Sequence, residues 1–286
     1  GDEVIIPAPF WVSYPDIVML AEGKPIIVKC DASQDFKITP EQLENNITNK
    51  TKWLMLNSPS NPTGAVYSFN ELKALSEVLL KYPNVLVLTD DIYEKIIYDD
   101  GVFSTIASVE PKMKERTLTL NGVSKAYCMT GWRLGYCGGP REIIAGMNKI
   151  QSQSTTSTSS ISMAASVEAL SGDQEFINLH NIQFKKRRDM VVENLNQIDG
   201  INCSIPPGAF YVYPSCEGII GKKTSVGNII NTDEDFMNFL LESEGIAGVH
   251  GEAFGLSPYF RLSYATDEKT LEDACNRIER ACNNLK

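Results

Sequence analysis

Residues 53–64 read Trp-Leu-Met-Leu-Asn-Ser-Pro-Ser-Asn-Pro-Thr-Gly, residues 68–81 Ser-Phe-Asn-Glu-Leu-Lys-Ala-Leu-Ser-Glu-Val-Leu-Leu-Lys, and residues 85–91 Val-Leu-Val-Leu-Thr-Asp-Asp. Trp53–Asn57 and Val85–Thr89 are short apolar runs bounded by turn residues, the pattern of strands buried on both faces. Between them Leu72, Leu75, Val78 and Leu79 recur at helical spacing, and Ser68 with Glu71 three residues on forms a capping box that predicts a helix over 70–81. Strand, helix, strand in this order predicts a parallel pair joined by a crossover, with ligands at the carboxyl ends of the strands.

The same alternation extends on both sides. Further strands are expected at Val4–Ile6, Ile26–Cys30, Thr117–Asn121 and Leu134–Cys137, and helices near Tyr14–Ala21, Pro40–Asn46 and Arg141–Gln151. Ser152–Ser160, nine Ser, Thr and Gln residues in a row, is expected to be an ordered loop. A long amphipathic pattern then runs from Gln174 to Ile198. Beyond it the texture becomes α+β, with strands expected at Phe210–Tyr213, Ile246–Val249 and Tyr259–Tyr264 and helices at Asp233–Glu244 and Asp267–Asn284. These features predict a large α/β domain with a mainly parallel sheet, residues 1–185, and a smaller α+β domain, residues 186–286. Cys275 and Cys282 share one face of the last helix with Leu271, Ile278 and Leu285 and read as small core residues.

The chain of 286 residues has 26 Lys and Arg against 36 Asp and Glu, a net charge of -10 that disfavours nucleic acid or an anionic membrane as partner. Lys185-Lys186-Arg187-Arg188 is its one basic run and reads as a solvated helix face. No apolar stretch reaches the roughly 18 residues of a membrane span, and nothing at the start looks like a signal peptide. Seven cysteines without a C-x-x-C pair fit a reduced, cytoplasmic compartment better than a disulfide scaffold or a zinc site. Only two histidines are present, so histidine triads and metal hydrolysis have little support.

Four segments that follow or form strands hold polar groups in apolar company. Asn61 lies in the doubly proline-braced loop after Trp53–Asn57, where it either offers an amide to a ligand oxygen or serves only its own turn. Asp90-Asp91, with Tyr93 close behind, either sits under a ligand whose ring N–H needs a carboxylate or caps a helix. Lys125, in Asn121-Gly122-Val123-Ser124-Lys125, is either a surface lysine or an amine made nucleophilic by partial desolvation. Arg133, eight residues later, offers a fork suited to phosphate. Arg261, alternating with apolar residues in Tyr259–Ala265, needs an anionic partner, either a protein acid or a substrate carboxylate.

In this order S-x-N-P-T-G, D-x-x-Y, S-K-x-x-x-x-T-G-W-R-L-G and F-R-L-S-Y-A resemble the class I aminotransferases of pyridoxal-phosphate fold type I, and within them the bacterial subgroup of aspartate aminotransferases. The resemblance runs from Phe10 to the C-terminus and implies the fold type I architecture, a mixed, mainly parallel sheet in a large domain plus a smaller α+β domain. It implies that Lys125 is the Schiff-base lysine and moves the proton of the substrate Cα. It further implies that Asp90 pairs with the pyridine nitrogen, that Asn61 and Tyr93 bind the ring oxygen, and that Arg133 and Ser124 hold the phosphate. Trp11 would stack on the ring, and Arg261 would clamp the substrate α-carboxylate. The implied reaction is ping-pong transamination of aspartate, or a related amino acid, with 2-oxoglutarate, in a cytoplasmic homodimer without a metal. Aromatic or prephenate transamination, a β-lyase, and a non-catalytic effector-binding module of a regulator are the alternatives.

The family's glycine-rich phosphate loop, its N-terminal arm and the residues that reach across a dimer have no counterpart in this sequence, and Ser152–Ser160 lacks an arginine. A chain starting at Gly1 is therefore expected to lack one wall of the phosphate pocket and to be a poor enzyme by itself.

Overall fold

A computed structural model describes residues 1–286, organised around two sheets. The larger has six strands: β1 (Glu3–Ala8), β2 (Lys24–Lys29), β3 (Thr51–Asn57), β4 (Leu86–Asp90), β5 (Thr117–Gly122) and β6 (Gly135–Gly138), in the order β2-β1-β3-β4-β5-β6. The first five run parallel, and β6 closes the edge antiparallel to β5. Helices α1 (Ser13–Leu20), α2 (Pro40–Asn46), α3 (Phe69–Leu80), α4 (Ile106–Val109) and α5 (Pro111–Lys114) connect these strands. The capping box forms as read: the Glu71 amide donates to Ser68 Oγ at 3.3 Å and Glu71 accepts from the Ser68 amide at 2.7 Å.

Both faces of the sheet are covered, which is why its strands read as continuous apolar runs rather than alternating ones. On one face Leu54, Leu56, Val85 and Val87 pack against Leu72, Leu75 and Leu79 of α3; on the other Val4, Ile6 and Met55 pack against Tyr14 and Val18 of α1.

After β6 come α6 (Arg141–Gln153), α7 (Ser160–Ser171) and α8 (Glu175–Asn196), then β7 (Tyr211–Val212), α9 (Asp233–Glu244), β8 (Val249–His250), β9 (Phe260–Ser263) and α10 (Glu268–Asn283). The three short strands form an antiparallel sheet in the order β7-β9-β8. Leu271, Cys275, Ile278 and Cys282 of α10 are buried as expected, in a core shared with Val191 and Leu195 of α8 and Phe236 and Leu240 of α9.

Three expectations need correction. The Ser/Thr-rich loop is shorter than 152–160, because α6 continues to Gln153 and α7 starts at Ser160. Ser152, in the last turn of α6, and Ser154, just past it, donate their hydroxyls back to the carbonyls of Lys149 and Ile150, so these hydroxyls are satisfied within the helix end. β8 begins at Val249 rather than Ile246, because Gly245 (φ 69°) and Ile246 donate their amides to Leu241 and Leu240 and are used up in stopping α9. The basic run is not a uniformly solvated face: the Arg188 side chain is 3% exposed, 2.5 Å from Asp99 and 2.7 Å from Asp189. Its guanidinium also donates to the Pro206 carbonyl and lies 5.0 Å from the Tyr98 ring centre. Four basic residues in succession point in four directions around a helix, and the fourth meets the core.

Candidate active site

The sheet order determines which loops meet. β1, β3, β4 and β5 are consecutive parallel neighbours, so the segments leaving their carboxyl ends lie side by side. Those segments carry Trp11, Asn61, Asp90 with Tyr93, and Ser124 with Lys125. Arg261 reaches the same place from β9 of the smaller sheet, where its guanidinium donates to Asn61 Oδ1 at 2.8 Å across 200 residues of sequence.

Each contact constrains the chemistry. Arginine has only donors, so the bond to Arg261 fixes the Asn61 oxygen toward it and leaves the amide nitrogen as the donor on offer. Asn57, at the end of β3, holds the loop: its side chain accepts from the Asn61 backbone N–H at 2.7 Å and donates to the Asp90 backbone carbonyl at 2.8 Å. The Arg261 guanidinium lies between aromatic rings, 4.7 Å from the centre of Tyr211 and 5.0 Å from that of Phe254, and it forms no ion pair with a protein acid. Of the two partners left open by its sequence context, no acid of this chain fills the role.

Asp90 and Asp91 point to opposite sides, as successive residues at a strand end do. Asp90 accepts the Tyr14 hydroxyl at 2.8 Å and the Ile92 amide at 3.3 Å. Burial raises its pKa, offset by those two bonds and by the positive charge of Lys125. Asp91 turns inward, is 1% exposed, accepts the Thr89 hydroxyl at 2.6 Å and leaves its second oxygen without a partner. Burial pushes the Asp91 carboxyl up to about 7.

Lys125 is half-buried, and its amine makes no hydrogen bond or ion pair; it lies 5.8 Å from the ring centre of Tyr93 and 5.9 Å from that of Phe210. Burial lowers its pKa, the charges of Arg261 and Arg133 add to that, and Asp90 opposes it. An amine so placed is a better nucleophile than a solvated lysine. The Tyr93 hydroxyl is 2.9 Å from that of Tyr211.

The remaining residues are held more loosely. Arg133 is exposed, in the left-handed region (φ 52°), and donates to the Thr130 carbonyl at 3.1 Å. Ser124 makes no side-chain hydrogen bond and lines, with Lys125, a cavity of about 420 Å³. Trp11 is 38% exposed and meets the cluster through Tyr14, edge to face at 5.4 Å. Tyr14, Asn57, Tyr211 and Phe254 escape sequence reasoning. Tyr14 was the most accessible of them, a polar tip on the buried face of a helix beside the Trp11 segment.

A family model described as aminotransferase class I and II matches residues 1–278. Over 285 residues the chain is 56% identical to an aspartate aminotransferase of Rhizobium meliloti (strain 1021), covering 100% of this chain and 70% of that protein. It is 57% identical over 286 residues to a probable aspartate/prephenate aminotransferase of Rhizobium leguminosarum bv. phaseoli, covering 100% of this chain and 72% of the relative. The crystal structure of the aspartate aminotransferase from Rhizobium meliloti superimposes with a TM-score of 0.98 at 56% identity, covering 100% of this chain and 72% of that one.

Proposed function

The chain belongs to the class I and II aminotransferase family, and from that premise we propose that it transfers the amino group of aspartate to 2-oxoglutarate with pyridoxal 5'-phosphate held by Lys125, Asp90, Asn61, Tyr93, Arg133, Ser124 and Trp11. The observation that carries this reading is Lys125, a half-buried amine at the carboxyl end of β5 with no protein partner and a lowered pKa. The donor set suits the cofactor: an amine for its aldehyde, a half-buried carboxylate for its ring nitrogen, an amide N–H and a phenol for its ring oxygen, and a guanidinium for its phosphate. When bound, pyridoxal phosphate supplies an electron sink for the charge that develops at the amino acid's Cα.

Each side chain then has a definite task. Asp90, half-buried and anchored by Tyr14, presents a negative charge at a fixed point and so keeps a ring N–H protonated. The amide nitrogen of Asn61 and the hydroxyl of Tyr93 donate toward an anionic oxygen. Arg261, kept flat between Tyr211 and Phe254, pairs with the substrate α-carboxylate and sets which face of Cα meets Lys125. The uncharged Lys125 amine takes the Cα proton, and the lowered pKa increases the fraction available as base. Trp11 would stack on the ring.

We place the boundary between a cofactor-binding unit, 1–185, and a smaller unit, 186–286, within α8. A homodimer is supported by Ile150, Ile161 and Val167 on α6 and α7, apolar side chains that stand in solvent in the single chain. Seven free cysteines, five of them buried, support a reducing, cytoplasmic setting. Prephenate as a second amino acceptor is supported by the Rhizobium leguminosarum relative's name and by the aromatic walls around Arg261. Steady-state comparison of aspartate, phenylalanine and glutamate as donors, with 2-oxoglutarate and prephenate as acceptors, tests the assignment. The highest kcat/KM is expected for aspartate with 2-oxoglutarate, and failure of aspartate to donate overturns it.

A further inference from the structure

Tyr211 touches both halves of the site. It lies on β7, paired with Ser263 of β9, so Arg261, two residues back along β9, shares its face of the sheet, and the Arg261 guanidinium carbon is 4.7 Å from the Tyr211 ring centre. The hydroxyl at the far end of that ring is 2.9 Å from the Tyr93 hydroxyl and has no other hydrogen-bond partner. The Tyr93 and Tyr211 rings meet nearly edge to face, at 79° with centres 5.9 Å apart, so neither phenol can swing away without breaking ring packing. One side chain therefore joins the arginine at the substrate end to the tyrosine beside Lys125.

Two phenols at 2.9 Å share one hydrogen bond, and its direction decides what Tyr93 can do. If Tyr93 donates to Tyr211, its single proton is used and it offers the site only a lone pair. If Tyr211 donates, the Tyr93 proton is free to point into the site, and accepting one bond strengthens the bond it donates. The positive charge of Arg261 over the Tyr211 ring favours Tyr211 as donor. We infer that Tyr211 is a positioning residue with two separable parts: its ring holds Arg261 flat for a carboxylate, and its hydroxyl donates to Tyr93 and so turns the Tyr93 proton toward the ring oxygen of the cofactor. This rests on the cofactor assignment made above.

The two parts are tested by two variants. Titration of the visible absorbance of the cofactor-loaded protein gives the pH midpoint of the proton shared between Lys125 and the ring oxygen. A strong donor from Tyr93 favours the anionic oxygen and lowers that midpoint, so Tyr211→Phe, which keeps the ring and removes the donor, is expected to raise it by about 0.5 unit. A structural role alone would not move it, and the opposite hydrogen-bond direction would lower it; no change, or a fall, overturns the inference. Maleate, an unreactive dicarboxylate, is expected to bind Tyr211→Phe within about twofold of the parent and Tyr211→Leu about tenfold more weakly, the worth of a partly desolvated cation–π contact. Equal affinity for both variants removes the role of the ring. Absence of any lysine-linked absorbance in the parent would overturn the cofactor assignment itself, a different result from a band that forms and does not shift.

Discussion

Two arginines in this molecule, Arg188 and Arg261, have opposite surroundings. Arg188 on α8 is paired with Asp99 and Asp189, bonded to the Pro206 carbonyl and stacked near Tyr98, so that its charge is spent within the protein. Arg261 on β9 has an amide oxygen and two aromatic rings for company and no acid at all. Taking a cation out of water without a counter-charge is costly. The first arrangement ties α8 to the loop after β4; the second retains an unmet demand for an anion that a substrate carboxylate can satisfy. Asp91 and Asp90 repeat the contrast one residue apart, one turned into the core, the other into the cluster around Lys125.

Exchanging the members of each pair should therefore give opposite outcomes. Arg261→Leu is expected to lower kcat/KM for aspartate by about 10³-fold while changing unfolding free energy by less than about 1 kcal/mol, since only the substrate loses a charged partner. Steady-state kinetics together with urea denaturation read both quantities. Asp90→Asn is expected to lower kcat by at least about 10²-fold, and Asp91→Asn by less than about threefold, because only Asp90 faces the Lys125 cluster. Similar losses in both variants would collapse the distinction.

The pH dependence of stability sharpens the same comparison. The Asp91 carboxyl is raised to about 7 in the folded protein, against about 4 in an unfolded chain. Between those values the folded state holds the extra proton, so the Asp91 contribution to stability is fully present below pH 4 and declines as pH rises toward 7, by at most about 4 kcal/mol. Asp91→Asn should flatten that part of the curve, as followed by thermal unfolding from pH 4 to 8. Asp99 is the reverse case: hydrogen bonds from Arg188 and Lys185 hold it down at about 2, so its contribution is present above pH 4 and lost as pH falls toward 2. Arg188→Ala is expected to cost about 2 kcal/mol, less than a fully buried pair because Asp99 is half in water, and to leave kcat/KM nearly unchanged.

Much of the fold was legible because β1, β3, β4 and β5 lie inside the sheet and announce themselves as apolar runs with turn residues between them. The helix α2 runs over the expected Pro40–Asn46, with proline in its first turn. What escaped depends on contacts far apart in sequence. Nothing around residue 211 indicates that its ring will lie under Arg261, and nothing around residue 14 that its hydroxyl will reach Asp90, 76 positions on. The burial of Arg188 was hidden for the same reason, since a run of four basic residues looks solvated until the loop carrying Asp99 is placed against it. Candidate residues that lie directly after strands were readable from motif and position. Those that orient them were not, because they belong to other elements and act through packing.

The central claim is that the unpartnered amine at the end of β5 is the one that holds the cofactor. Loading the protein with pyridoxal phosphate, reducing it with borohydride and locating the label by peptide mass spectrometry tests it directly. The account predicts a label on Lys125 alone, lost in Lys125→Ala; a label on any other lysine, with Lys125 unmodified, would contradict it.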